Sequence, residues 1–202
     1  MASSSPLKVE PITIDDIPAL IEIWFAAFTN PLMQEIFPDT PGLREWLTKI
    51  FLHDLSNRPF QHTLKVMDLD SKDLQGRPRM MAWGKWDLSM PEERGLRFSL
   101  PWADDMPAEK CNGFFNTLEE NRKQVMGDEK HFYLDTLCTH PDYWRRGAGS
   151  MLVQWGCDLA DEQGVSAYVD ASKKGAPLYQ KFGFVDNGDP NEEVASMARR
   201  KS

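Results

Sequence analysis

The chain has 202 residues, of which 41% are hydrophobic and 27% charged, so it is long enough to bury the core of one globular domain. Its net charge of −8 excludes the extended basic face expected of a general nucleic-acid-binding protein. No apolar run approaches the roughly 18 residues of a membrane span. Basic side chains cluster only locally, at 145–146, 173–174 and 199–201, which favours one small polyanionic ligand and a cationic or neutral second substrate.

The first six residues, MASSSP, carry neither the basic nor the apolar segment of a secretory signal. We therefore expect residues 1–6 to be a disordered leader and residues 7–202 to form a single domain. Cys111, Cys138 and Cys157 are an odd number without CxxC spacing, a pattern typical of reduced thiols in a cytoplasmic protein. The histidines are scattered along the sequence, so no metal site is predicted.

The front of the chain predicts one strand, two helices and a β-hairpin. Thr13 is expected to cap the first helix and Asn30-Pro31 to end it. Between those limits, apolar residues recur at spacings of three and four. The elements expected up to residue 88 are a strand at 7–12, helices at 13–30 and 41–55, and strands at 63–70 and 80–88.

The rest of the chain alternates helices and strands after an extended segment at about 90–130, where a Pro-rich loop precedes a helix. The expected elements are helices at 108–126, 148–163 and 176–182 and strands at 131–139, 165–170, from 184, and at 193–198. Interleaved strands and helices with one hairpin near the front indicate an α/β protein with a mixed sheet.

The stretch DYWRRGAGSML, residues 142–152, raises the question of function. Gly147 and Gly149 open a predicted helix, where backbone N–H groups bind anions. A dinucleotide-binding fingerprint is disfavoured, because Leu152 replaces its third glycine and the segment 140–146 separates the glycines from the strand. A phosphate-binding P-loop is excluded by the missing Gly-Lys-Ser/Thr ending. A tight turn with solvated arginines remains the alternative from these residues alone.

Two linked motifs resemble the GNAT superfamily of N-acetyltransferases, particularly its small-molecule branch with many fungal members. They are LCTHPDYWRRGAGSMLVQWGCDLADEQGV and ASKKGAPLYQKFGF, which cover roughly 131–186 in the family's order and spacing. The resemblance implies a GNAT fold, with a central mixed sheet of about six or seven strands and a splay between two parallel strands. Two positions depart from the family pattern: Trp144 replaces an arginine or glutamine, and Ser172 replaces a common asparagine.

The resemblance implies acetyl-CoA as cofactor, with its pyrophosphate on the backbone amides of 145–150. The pantetheine would pair with the 131–139 strand, and a lysine after residue 172 would reach the adenosine phosphates. The residues expected to bind the cofactor are Leu137, Cys138, Thr139, Arg145, Arg146, Gly147, Ala148, Gly149, Ser150, Ser172 and Lys174.

The same resemblance places Tyr179 at the general-acid position, where its hydroxyl would protonate the leaving thiolate. Asp135 is the candidate base, on the assumption that regular alternation puts it on one strand face with Leu137 and Thr139. Asp170 is a second candidate. Cys138 would then lie on the opposite face with no activating triad, so direct transfer without a covalent acyl-enzyme is expected.

The acceptor is expected to be a primary amine of a small molecule, bound by aromatic and acidic side chains of the first helices, the hairpin and the last strands. A loop at 96–106 could fold over it. The substrate-binding candidates are Phe25, Phe28, Trp83, Trp86 and Asp170. The alternatives are a protein or peptide N-acetyltransferase and a catalytically silent acyl-CoA-binding domain. A monomer or a homodimer is expected, without membrane or nucleic-acid partners.

Overall fold

The computed structural model describes residues 6–73 and 76–201, so most of the expected leader lies outside the described residues. The strands are β1 (Leu7–Pro11), β2 (Gln61–Lys72), β3 (Pro78–Asp87), β4 (His131–Thr139), β5 (Ser166–Ser172), β6 (Val185–Asp186) and β7 (Val194–Arg199). The helices are α1 (Ile17–Ala27), α2 (Pro31–Ile36), α3 (Pro41–Asn57), α4 (Ala108–Met126), α5 (Ala148–Gln163) and α6 (Ala176–Gln180).

The seven strands form one mixed sheet in the order β1-β2-β3-β4-β5-β7-β6. Every neighbouring pair is antiparallel except β4 and β5. Helices α1, α3 and α4 pack on one face of the sheet, the α1/α3/α4 face, and α5 and α6 pack on the other, the α5/α6 face. The predicted α/β class and mixed sheet are confirmed.

The parallel strands β4 and β5 separate about halfway along their length. Their pairing runs from His131↔Ser166 to Leu134↔Val169 and then stops, although β4 continues to residue 139 and β5 to residue 172. The predicted splay is therefore present, and it opens a gap beside the second half of β4.

Strand β4 carries a β-bulge at Asp135. Trp86 of β3 pairs with Leu134, whereas the preceding residue, Lys85, pairs with Thr136, so one residue of β4 has no partner in the ladder. The extra residue reverses the alternation of side chains beyond it. The expectation that Asp135 shares a face with Leu137 and Thr139, opposite Cys138, is therefore wrong.

The clusters on the two faces show this reversal. Leu134 and Leu137 both pack on the α5/α6 face, although three positions separate them. Cys138 packs among residues of α1 and α3. Asp135 meets Lys85, which also contacts Asp54 of α3, so the carboxylate lies on the same face as the thiol.

Trp86 fixes α5 to the sheet and does not lie on the acceptor side. Its side chain is fully buried among residues of the α5/α6 face, and its indole N–H donates to the Leu152 carbonyl of α5 at 3.0 Å. A Cβ on Gly156 would lie 2.1 Å from the indole, so only glycine lets the helix approach this closely. The predicted substrate-binding role of Trp86 is thus contradicted by its place in the core.

Several element boundaries agree with those predicted, and others differ. The bounds of α4, β4 and α5 coincide with those predicted. Asn30 does not simply end α1, because its Oδ1 accepts from the Met33 amide at 2.9 Å and caps the short α2. Thr13 and Asp16 form a capping box around the single 3-10 turn Ile14–Asp16 that leads into α1.

Within 6–73 and 76–201, no helix is both long and apolar enough to cross a membrane. In the same ranges no three histidine, cysteine, aspartate or glutamate side chains are grouped to hold a metal ion. The three cysteines are buried and form no disulfide.

Candidate active site

The edge of β4 that faces the gap presents backbone groups that pair with no neighbouring strand. The His140 amide donates to the Met81 carbonyl of β3 at 2.9 Å, so the Thr139 carbonyl points the other way, into the gap. The backbone groups of Leu137, two residues earlier, point in the same direction. These are the two residues predicted to pair with the pantetheine of acetyl-CoA.

The loop between β4 and α5 has the backbone geometry of an anion-binding site. Arg145 adopts a left-handed conformation with φ 60°, and Gly147 another with φ 91°. Left-handed residues close to right-handed ones turn successive N–H groups toward one point. The N-terminus of α5 begins at Ala148 and adds the positive end of its dipole.

The two arginines of this loop differ in their surroundings. Arg146 forms an ion pair with Asp68 of β2 at 2.7 Å and lies over the Tyr143 ring, so its charge is largely neutralised. Arg145 is exposed and has no ion-pair partner among the described residues. The sequence predicted that both would supply positive potential, but only Arg145 is left to do so.

Trp144 contacts both loops that flank the gap. Its indole N–H donates to the Thr139 carbonyl at 2.9 Å, and the ammonium of Lys174 lies 5.3 Å from its ring centroid. The contact joins the loops that follow β4 and β5. Ser172 is engaged in its own turn, where its Oγ accepts from the Gly175 amide at 3.0 Å.

Tyr179 of α6 offers a proton donor on the α5/α6 face. The side chain is buried beside Val169 and Ala171 of β5. None of the described residues hydrogen-bonds its hydroxyl. Burial raises the pKa of that hydroxyl, and a charge on Cys138 would raise it further. Tyr179 is therefore protonated at neutral pH and free to donate.

Asp135 is held as a structural anion. Its carboxylate lies 3.5 Å from the Lys85 ammonium and 3.2 Å from the Arg97 guanidinium, and it accepts from Thr136 Oγ1 at 2.6 Å. Burial alone would raise the pKa of Asp135, but Arg97 and Lys85 outweigh burial and lower it. A paired carboxylate with a lowered pKa is a poor proton acceptor, which disfavours the predicted base role.

Asp170 has the properties that Asp135 lacks. It is the first residue of β5 beyond the paired region, and its two oxygens accept from the hydroxyls of Tyr133 at 2.8 Å and Tyr168 at 2.7 Å. Burial raises the pKa of Asp170 to about 6, although both tyrosine hydrogen bonds oppose the rise. A carboxylate that titrates near neutrality suits a general base.

The loop before α4 is fastened over this site by arginines. Arg97 donates to the Tyr133 hydroxyl at 2.6 Å and to the Asp135 carbonyl at 2.7 Å. Arg58 holds the loop at the Leu96 carbonyl, 2.7 Å away. No local sequence pattern indicates Arg97, because its partners are more than 35 residues away in the chain.

The remaining aromatic candidates are mainly packing residues. Trp83 is fully buried, and its indole N–H donates to the Leu20 carbonyl of α1 at 3.0 Å, so it belongs to the core. Phe25 and Phe28 are half-buried around Trp24. Their contact with an acceptor stays a prediction.

Sequence comparison relates most of this chain to one family. Residues 40–184 match the model described as the acetyltransferase (GNAT) family. A protein of Stachybotrys chartarum named acetyltransferase is 27% identical over 122 residues. That match covers 56% of this chain and 53% of the fungal protein, so about half of each is compared.

Solved structures share the fold over nearly the whole chain. Arylalkylamine N-acetyltransferase 2 from Aedes aegypti superposes with a TM-score of 0.63 at 14% identity, covering 95% of this chain and 97% of that one. The PaiA N-acetyltransferase from Thermoplasma acidophilum, in complex with coenzyme A, gives a TM-score of 0.55 at 12% identity, covering 96% and 98%. At these identities the likeness establishes a common fold.

Proposed function

Because the chain belongs to the acetyltransferase (GNAT) family, we propose that it transfers the acetyl group of acetyl-CoA directly to the primary amine of a small molecule. One observation carries the proposal. Tyr179 and Asp170 belong to opposite faces of the sheet at the gap between β4 and β5. Tyr179 is a proton donor with no hydrogen-bond partner among the described residues, and Asp170 is a carboxylate with a pKa of about 6.

The residues around the gap fit the cofactor. The left-handed turns at Arg145 and Gly147 suit a pyrophosphate, and the unpaired edge of β4 suits the amides of pantetheine. The PaiA structure, which has the same fold, contains coenzyme A. Bound here, acetyl-CoA would supply the acetyl group as a thioester.

The described side chains account for both proton transfers. As the N–C bond forms and the C–S bond breaks, Asp170 accepts the proton that the amine loses. Tyr179 donates its proton to the departing sulfur and regains one from solvent. With a pKa of about 6, Asp170 is largely ionised at neutral pH and can accept a proton. Burial raises the pKa of Tyr179, so its hydroxyl is protonated and can donate to the sulfur.

A covalent acyl-enzyme is not part of this proposal. Cys138, the cysteine of the gap-lining strand, is buried, and its burial raises the pKa of the thiol well above the usual value. The Asp135 charge raises it further. A thiol held neutral in this way is a weak nucleophile, which supports direct transfer.

The proposed setting is the cytoplasm, supported by three cysteines that form no disulfide. We also propose that the protein acts as a monomer or homodimer. A small amine as acceptor agrees with the acidic net charge of −8, which attracts ammonium groups.

The test is a thiol-release assay with acetyl-CoA against alkylamines, arylalkylamines, polyamines, amino acids and short peptides, with the acetylated product identified by mass spectrometry. We expect turnover with at least one free amine. Turnover confined to peptides would favour a peptide N-acetyltransferase. Tight coenzyme A binding without any turnover would overturn the proposal in favour of a silent acyl-CoA-binding domain.

A further inference from the structure

A groove runs along α4, between α2 on one side and the segment that leads into β7 on the other. It consists of two cavities of about 440 and 460 Å³ that share Asn121 and Glu192. We call the two together the α4 groove. Its 440 Å³ end is apolar and is lined by Leu32, Ile36, Phe114, Leu118 and Val194.

The α4 groove lies beside β7, the neighbour of β5 on the side away from β4. Val194 at its apolar end pairs with Ser172, the last residue of β5. Ser196 at its polar end is buried and pairs with Asp170. Both ends of the groove are therefore one strand away from the residues that face the gap.

The charges beside the groove are acidic. Glu192 is held by the Asn121 amide at 2.8 Å, and Glu193 is exposed, with no cation paired to it in the described ranges. Lys110, the basic residue of the apolar end, is already paired with Glu35. An apolar wall with acids at its rim attracts a cation that carries a hydrocarbon body and repels a carboxylate.

We propose that the α4 groove binds the acceptor and selects primary amines on a hydrocarbon body without a carboxylate. This inference rests on the proposed function and names its substrate class. The hydrocarbon would lie against Phe114 and Leu118, and the ammonium would pass Glu193 on its way to Asp170. Each methylene buried in the groove should raise kcat/KM about fourfold, from a transfer free energy of about 0.8 kcal/mol.

Gly113 provides a way to fill the groove without disturbing the fold. It lines the apolar end, and a Cβ placed on it would meet no atom within 4 Å. Leucine is also a better helix former than glycine. Gly113→Leu should therefore keep α4 folded while its side chain occupies space meant for the acceptor.

The first experiment measures kcat/KM for the alkylamine series from propylamine to hexylamine. In the wild type we expect a rise of about fourfold per methylene. Gly113→Leu should flatten the rise and lower the hexylamine value at least tenfold, with the KM for acetyl-CoA unchanged. The melting temperature of the variant should equal or exceed that of the wild type.

The second experiment compares hexylamine with 6-aminohexanoate, which differs only by its terminal carboxylate. The wild type should prefer hexylamine at least tenfold. Glu193→Gln should reduce this preference several-fold. Glu120→Gln is the matched control, because Glu120 is an exposed glutamate of α4 that does not line the groove, and it should leave the preference unchanged.

The results that would overturn these proposals are distinguishable. No thiol release with any amine would overturn the proposed function and this inference together. A working enzyme whose alkylamine series is flat, or is unaffected by Gly113→Leu, would overturn this inference alone. If Gly113→Leu changed only the oligomeric state in light scattering, the groove would be an interface between two copies, and the acceptor proposal would also be wrong.

Discussion

The two faces of the sheet are built by different means. On the α5/α6 face, glycine and apolar residues bring α5 against the sheet until Gly156 touches the Trp86 ring, and the proposed roles fall to backbone groups apart from the Tyr179 hydroxyl. On the α1/α3/α4 face, charged side chains such as Lys85 and Arg122 are buried at 4% and 6% exposure. We infer that the proposed cofactor side depends on backbone shape, whereas the proposed acceptor side depends on paired charges.

Those charges form a continuous chain of contacts to the proposed base. Asp54 meets Lys85, Lys85 meets Asp135, and Asp135 meets Arg97. Arg97 then donates to Tyr133, whose hydroxyl donates to Asp170. We therefore expect a substitution at the Asp54 end of this chain of contacts to lower the free energy of unfolding. A substitution at the Asp170 end should slow proton transfer.

The largest expected effect is on the charged face. Lys85→Met would leave two buried carboxylates, Asp54 and Asp135, without the cation between them. We expect a loss of about 3 kcal/mol in the free energy of unfolding, measured by urea denaturation. Lys49→Met is the control, because Lys49 forms an exposed pair with Glu45. Equal stability of the two variants would refute the idea that this face depends on paired charges.

Tyr179→Phe removes the proposed proton donor. We expect kcat to fall at least about 100-fold while thermal unfolding is unchanged, since no described residue hydrogen-bonds the hydroxyl. Tyr143→Phe serves as the control, because Tyr143 accepts from Arg79 at the surface. Retention of full kcat by Tyr179→Phe would remove the α5/α6 face from the chemistry.

Asp170→Asn removes the proposed base. In the wild type kcat/KM should fall as the pH drops through about 6, because the carboxylate gains a proton there and can no longer accept one from the amine. The variant should be about 100-fold slower at pH 7.5 and should lose that part of the pH profile. An unchanged profile would contradict the assignment.

Gly156→Ala tests the close packing of the α5/α6 face. Its new methyl group would overlap the Trp86 ring, so we expect a loss of about 1–3 kcal/mol in chemical denaturation. The matched helical glycine on the other face is Gly113, where the space for a Cβ is open. Gly113→Ala should stabilise the protein by up to about 1 kcal/mol. Stability changes of the same sign in Gly156→Ala and Gly113→Ala would contradict the difference in packing between the two faces.

The smallest effect should come from Trp144→Phe. The indole now occupies the Thr139 carbonyl, one of the backbone acceptors proposed for pantetheine. Phenylalanine cannot donate to it, so the KM for acetyl-CoA should fall about threefold, as expected from one net hydrogen bond of under about 1 kcal/mol. Trp155→Phe on α5 is the control and should leave the KM for acetyl-CoA unchanged. A rise in KM would mean that Trp144 holds the cofactor instead of competing with it.

Local patterns predicted much of the fold. Apolar periodicity and terminal signals located α4, β4 and α5 correctly, since these elements obey short-range rules. Asn30 was predicted to end the first helix, but it caps α2. Asparagine is common both after the end of one helix and at the N-cap of the next. Linked motifs led to Tyr179 and the glycine loop because their spacing reflects one compact segment of chain.

The residues of the proposed acceptor side were harder to predict from the sequence. The bulge at Asp135 has no signature in the residues around it, so regular alternation assigned the wrong faces. The prediction that Trp86 binds the substrate is wrong because no local pattern indicates that its indole packs against Gly156. Arg97 and Tyr133 were not predicted as site residues, because ion pairs between distant segments leave no periodic trace.

The bulge also limits how this strand can be exchanged. Side chains before Asp135 alternate between the two faces in one phase, and side chains after it alternate in the opposite phase. The bulge is therefore a join between two short strands. A chimera that takes β4 from a relative must keep the join at the same position. A strand that lacks the extra residue would turn Leu137 and Cys138 to the wrong sides and bring an apolar side chain to the charged face.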